Sequence, residues 1–147
     1  MRFAALLILL CAAGSAFAAD RPFKVLSTGK VGGQLEASVT EARNRKELTQ
    51  LWSRLGLKGA APKVNFKQQM VVAWVGGGSA CDKFTLTRVQ EEIDTVVLEI
   101  DHVRPPPGHM CIMIFSPSAI VASIPMTSKG VRVDVKNGGS APGDAIR

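Results

Sequence analysis

The clearest periodicity in the chain lies between residues 44 and 56. Leu48, Leu51, Trp52 and Leu55 fall at i, i+3, i+4 and i+7, on one helical face, while Lys46, Gln50 and Arg54 fall on the other. Asn44 and Glu47 have the spacing of a capping box, and Gly56 stands where a left-handed residue closes a helix. The pattern predicts an amphipathic helix over about 44–55 whose apolar stripe packs on a sheet.

Elsewhere the period is two, or the run is wholly apolar. Phe23–Leu26 reads as a short edge strand, and Leu35, Ala37 and Val39 alternate with polar neighbours as in a half-buried strand. Met70–Val75 (MVVAWV) is continuously apolar, which predicts a strand covered on both faces, and Gly76-Gly77-Gly78-Ser79 is expected to end it. Phe84–Thr87 alternates, and a slip around Arg88-Val89 predicts a bulge. Val96, Leu98, Ile100 and His102 share one face of the next strand, opposite Val97, Glu99 and Asp101, with residues 91–94 as the hairpin loop between the two. Pro105-Pro106-Pro107-Gly108 predicts an extended loop, after which Met110–Phe115 (MCIMIF) reads as a central strand. Ile120–Ile124 lies between Pro117 and Pro125, and Val131, Val133 and Val135 alternate with Arg132 and Asp134. The fold class is therefore α+β: a predominantly antiparallel sheet of seven or eight strands with one amphipathic helix. A helix laid on a sheet in two layers is the first arrangement that fits, and a partly closed barrel is the second.

The ends of the chain differ from this body. Arg2, the apolar run Phe3–Ala13 and the small residues Ala16 and Ala18 have the layout of a secretory signal peptide over residues 1–18, cleaved after Ala18. The run is broken too early by Gly14-Ser15 for a membrane span, and Leu10 is bulkier than lipid attachment at Cys11 requires. Residues 137–147 (NGGSAPGDAIR) hold too few apolar groups to order themselves. That leaves residues 19–136 as a single exported domain, with no stable membrane insertion after cleavage.

Lys and Arg number 18 against 12 Asp and Glu, a net charge of +6, but the cations are scattered and the chain has no Tyr. A nucleic-acid surface concentrates its charge and interleaves aromatic side chains for stacking, so no nucleic-acid partner is expected. Cys81 and Cys111 remain once Cys11 leaves with the signal, and in an oxidising compartment the pair predicts one disulfide. A competing reading takes His109, Cys111 and Met113 on one face of an extended strand, with Cys81 and Asp82 nearby, as the soft donor set of a copper or redox protein. The two readings exclude each other while Cys111 is oxidised.

Catalytic signatures are missing from the chain. There is no Gly-x-Ser-x-Gly elbow around Ser79, and the glycines at 76–78 lack the Lys-Ser/Thr of a phosphate loop. His102 reads as a partly buried, hydrogen-bonded histidine, and Asp101 beside it points to the opposite face. The expectation is a non-enzymatic domain without a cofactor. The segment Arg104, Pro105, Pro106, Pro107 and His109 is its candidate contact with a protein or peptide partner, because a proline-stiffened loop loses little entropy on binding.

Several pieces together resemble a known family. They are Leu48-Leu51-Trp52-Leu55, Val64-Asn65-Phe66, Met70-Val71-Val72, the Gly-rich break and the alternating strand after it, the prolines at 105–107, the expected strand 110–115, Pro117 and Ile124-Pro125. In this order they resemble the PrcB C-terminal-like domain over about residues 35–126. The resemblance implies a bacterial, exported or lipid-anchored protein that associates with and stabilises a surface protease complex. Asn65 stands where that family commonly has Asp, and Cys81-Asp82-Lys83-Phe84 where it has Gly-Gly-Tyr.

Overall fold

The structure is a computed structural model that describes residues 18–33, 35–105, 108–112 and 114–136. The predicted signal segment through residue 17 and the tail from residue 137 lie outside the described residues. In chain order the elements are β1 (Ala19–Asp20), β2 (Lys24–Lys30), β3 (Ser38–Ala42), α1 (Arg45–Arg54), β4 (Gln69–Gly78), β5 (Lys83–Glu91), β6 (Thr95–Val103), β7 (Ser116–Pro125) and β8 (Gly130–Lys136).

The strands form two four-stranded sheets, one in the order β2-β7-β4-β3 and the other β1-β5-β6-β8. Every pairing is antiparallel except β6 with β8. The α+β, mainly antiparallel class is as the periodicity predicts, but the layering differs from both expected arrangements. Helix α1, the first sheet and the second sheet stack as three layers, and no barrel closes.

The apolar run of β4 explains why. Met70, Val72 and Trp74 project toward the second sheet, into a core shared with Leu86, Val89, Leu98, Ile100, Ile120 and Ile124. Val71, Ala73 and Val75 project the other way, onto Leu48, Leu51, Trp52 and Leu55 around α1. A strand whose two faces are both covered loses the alternation of a half-solvated one. Each large side chain removed from water there contributes roughly 1.5–3 kcal/mol.

Helix α1 forms where its caps allow. Asn44 accepts a hydrogen bond from Glu47 N at 3.0 Å, and the Glu47 carboxylate accepts one back from Arg43 N at 2.6 Å. Gly56 closes the helix at φ +63°, a conformation that costs a residue with a Cβ. In the second sheet the predicted bulge lies between Leu86 and Arg88. Strict alternation after Leu86 would turn Arg88 inward; the extra residue returns Val89, 1% exposed, to the core.

Two predicted elements are corrected. The glycines do not break the strand at Gly76 but carry β4 on to Gly78, paired with Ser118, Pro117 and Ser116. Residues 110–115 are not a central strand: β7 starts at Ser116, and the described residues of MCIMIF form a loop. Among the described residues, no helix is long and apolar enough to cross a membrane.

Candidate functional site

The chemistry of the chain gathers at the end of the sandwich where β4 finishes, β5 starts, β6 ends and β7 begins. The glycine run permits this because three side chains lie across it. A Cβ on Gly76 would enter the Trp74 indole, one on Gly78 would strike the Asp82 carboxylate, and one on Gly77 would stand 2.6 Å from the Phe115 ring.

Past Gly78 the chain makes a tight turn. Asp82 N donates to Ser79 O at 3.2 Å, Ser79 N donates to the Asp82 carboxylate, and Lys30 Nζ donates to Ser79 O at 3.0 Å. The turn presents Cys81 to Cys111, and the two form a disulfide with a Cα–Cα distance of 5.9 Å. The second oxygen of Asp82 lies 3.1 Å from His102 Nε2, a close approach whose angle falls short of a hydrogen bond. His102 stacks on Phe84 at 4.6 Å between centroids, and Phe84 in turn leans on Trp74 at 5.0 Å. Burial pushes the Asp82 carboxyl up, but the His102 ring and the Ser79 donors outweigh it and hold the group below the ordinary range. Lys30 is shifted down by burial, against the opposing pull of Asp82.

A cleft of about 440 Å³ opens beside this turn, between Thr28–Lys30 of β2, residues 80–85 and Ser118-Ala119. Lys30, Asp82 and Lys83 supply its charge, and Phe84 and the Cys81 end of the disulfide supply apolar wall. His102 is not among its lining residues, so the Asp82–His102 approach braces the turn and does not present an imidazole to the cleft. That agrees with a partly buried structural histidine, although its neighbour is Asp82 rather than a hydrogen-bonded partner.

The loop that Cys111 pins is the most exposed apolar surface of the described residues. Met110 is 98% exposed, Ile112 66%, Ile114 67% and Phe115 58%. Of the predicted contact residues, Arg104 and His109 are exposed and Pro105 is half-buried, while Pro106 and Pro107 lie outside the described residues. The copper set is placed only in part. A ring nitrogen of His109 lies within 4.8 Å of both Cys81 Sγ and Cys111 Sγ, whereas Met113 lies outside the described residues. While the disulfide stands, neither sulfur is a thiolate ligand.

The reading of 110–115 as a central strand missed Met110, Ile112, Ile114 and Phe115 as surface. The available signal was Cys111 itself. Its partner Cys81 lies in the turn after β4, so a bridge holds the run at the end of the sandwich, beyond the strand ends. No protein-family model matches the chain, and neither a curated protein nor a solved structure matches it.

Proposed function

We propose that the chain is an exported, non-enzymatic binding domain of the bacterial cell envelope, which engages a protein partner through the disulfide-pinned apolar loop. The observation that carries this reading is the exposure of Met110, Ile112, Ile114 and Phe115 on one short stretch. Large apolar side chains grouped in water mark a contact surface rather than ordinary surface scatter. The Cys81–Cys111 bridge holds the stretch before a partner arrives, so less conformational entropy is lost on docking. Arg104 and His109 at its rim add polar contacts that fix orientation. The resemblance to the PrcB C-terminal-like domain supports an envelope protease as that partner, stabilised by the association.

The test is photo-crosslinking from position 109, beside the loop, in envelope extract, compared with the same probe in the combined variant Met110→Ser, Ile112→Ser, Ile114→Ser. A reproducible adduct that the triple variant loses, with its melting temperature unchanged, is the expected result. An adduct pattern indifferent to these substitutions would sink the reading. An adduct with a protein other than a protease would remove the protease and keep the binding domain.

A further inference from the structure

The disulfide site also carries three donor atoms that a single ion can reach. The geometry points to a redox-gated metal site: when the disulfide is reduced, Cys81, Cys111 and His109 bind one soft cation, Zn(II) or Cu(I), in place of the covalent staple.

The donors are already gathered, with Cys81 Sγ, Cys111 Sγ and a His109 ring nitrogen all within 4.8 Å of one another. Zinc holds thiolates at about 2.3 Å and imidazole at about 2.0–2.1 Å, which sets neighbouring donors of a tetrahedron roughly 3.4–3.8 Å apart. Once the S–S bond opens, the two sulfurs must part from bonding distance to that spacing while the His109 nitrogen closes by about 1 Å at most, both movements of side-chain rotation. One ligand, Cys81, stands on the turn held by Ser79 and Asp82. The other two lie on the loop that follows Gly108 at φ +86°, where His109 is exposed and Cys111 is half-buried.

The chemistry balances. A dithiol reductant gives two electrons and two protons to the disulfide, which becomes two thiols while the reductant closes its own disulfide. The thiols then release their protons as the cation binds two thiolates and the neutral imidazole. Two thiolates neutralise Zn(II) and leave its fourth position open. With Cu(I) one negative charge remains, and Lys30 and Lys83 line the same cleft as Cys81. The loop bearing Met110 is then clamped in either state, by a covalent bond or by an ion.

The test is an anaerobic titration of the purified protein, oxidised and reduced, with Zn(II) and separately with Cu(I), against a chromophoric competitor. The expected result is no uptake by the oxidised protein and one equivalent by the reduced one. Cys111→Ser abolishes it, and His109→Ala weakens it by about tenfold or more, as loss of a direct ligand should. No uptake by the reduced protein, or His109→Ala binding as tightly as the unsubstituted chain, would overturn the proposal. Melting of the reduced protein separates a folded site from metal capture by unfolded chain: zinc must raise the midpoint, and a lowered or unchanged midpoint also overturns it. No partner is present in any of these measurements, so their outcome is independent of the binding reading.

Discussion

MVVAWV at 70–75 and MCIMIF at 110–115 are nearly interchangeable as strings of apolar residues, yet the first is the core of the protein and Met110, Ile112, Ile114 and Phe115 of the second are its surface. Met70 is 0% exposed and Met110 is 98% exposed. The difference lies in neighbours. β4 has a strand on each edge, β3 and β7, and a covered layer on each face. The described residues of 110–115 pair with no strand and are tied down by one covalent bond from Cys111. Apolar composition supplies the free energy available on burial, but whether burial happens depends on what the backbone is paired with.

Methionine serves as the sharpest probe of that contrast. Met70→Ala should cost about 2–5 kcal/mol, the usual range for emptying a filled core position. Met110→Ala should stay within about 0.5 kcal/mol, as surface changes do. Denaturant unfolding of the two variants measures both, and equal costs would refute the assignment of the second run to the surface. Next in size is the bridge. Replacing Cys81 and Cys111 together by Ser should lower stability by roughly 3–4 kcal/mol on the chain-entropy account of a closed loop of this length. Amide exchange should show the loss of protection concentrated near the turn and loop, with the centre of β4 opening last.

How much of this was legible beforehand follows from the same contrast. Local signals read true where one element decides the outcome: the Asn44–Glu47 cap, the stripe on α1, the Gly56 close and the bulge before Val89. The continuous run of β4 correctly implied two covered faces, but not that the second cover is another sheet, because that depends on β5, β6 and β8 meeting it from afar in the chain. The disulfide was readable from cysteine number and the expected signal segment alone. The position of the loop was not, since periodicity cannot distinguish an apolar run that finds a strand partner from one that does not. Asp82 was legible only as a neighbour of Cys81; its bracing of the turn escaped, because Ser79 and His102 converge on it only through the turn and the β5–β6 pairing.

The glycine run at the end of β4 marks the boundary between the two regimes, and single alanines should resolve it. Gly76→Ala places a methyl against the indole of Trp74, which is 6% exposed and has nowhere to go, so a loss of about 1–3 kcal/mol is expected from overpacking. Gly77→Ala meets Phe115 instead, whose ring is largely in water and can swing away, and the Ser116 backbone oxygen at 3.2 Å, which need give only by a few tenths of an ångström. Its cost should stay below about 1 kcal/mol. Matched unfolding curves for the two variants check the order. A larger loss at Gly77 would mean that Phe115 belongs to the packed body and not to the surface loop.

The smallest expected effect is a titration at the same boundary. Asp82 is surrounded by the Ser79 backbone donor, His102 and Lys30, and its carboxyl is held below the ordinary value of 3.8. A group whose folded pKa is depressed contributes stability above the unfolded pKa and loses it as pH falls through the folded one. The contribution of Asp82 is therefore intact at neutral pH and fades only below 3.8. Glu91, held low by Lys129 and Arg21 at the junction of β1, β5 and β8, titrates with the same sign. Thermal melts of the unsubstituted protein and of Asp82→Asn along an acid series separate the two. Asp82→Asn should start lower at neutral pH and fall less steeply in acid, the remaining slope belonging to Glu91 and other carboxylates. Parallel curves would show that Asp82 braces the turn as a hydrogen-bond acceptor alone, without the charge that its setting beside His102 favours.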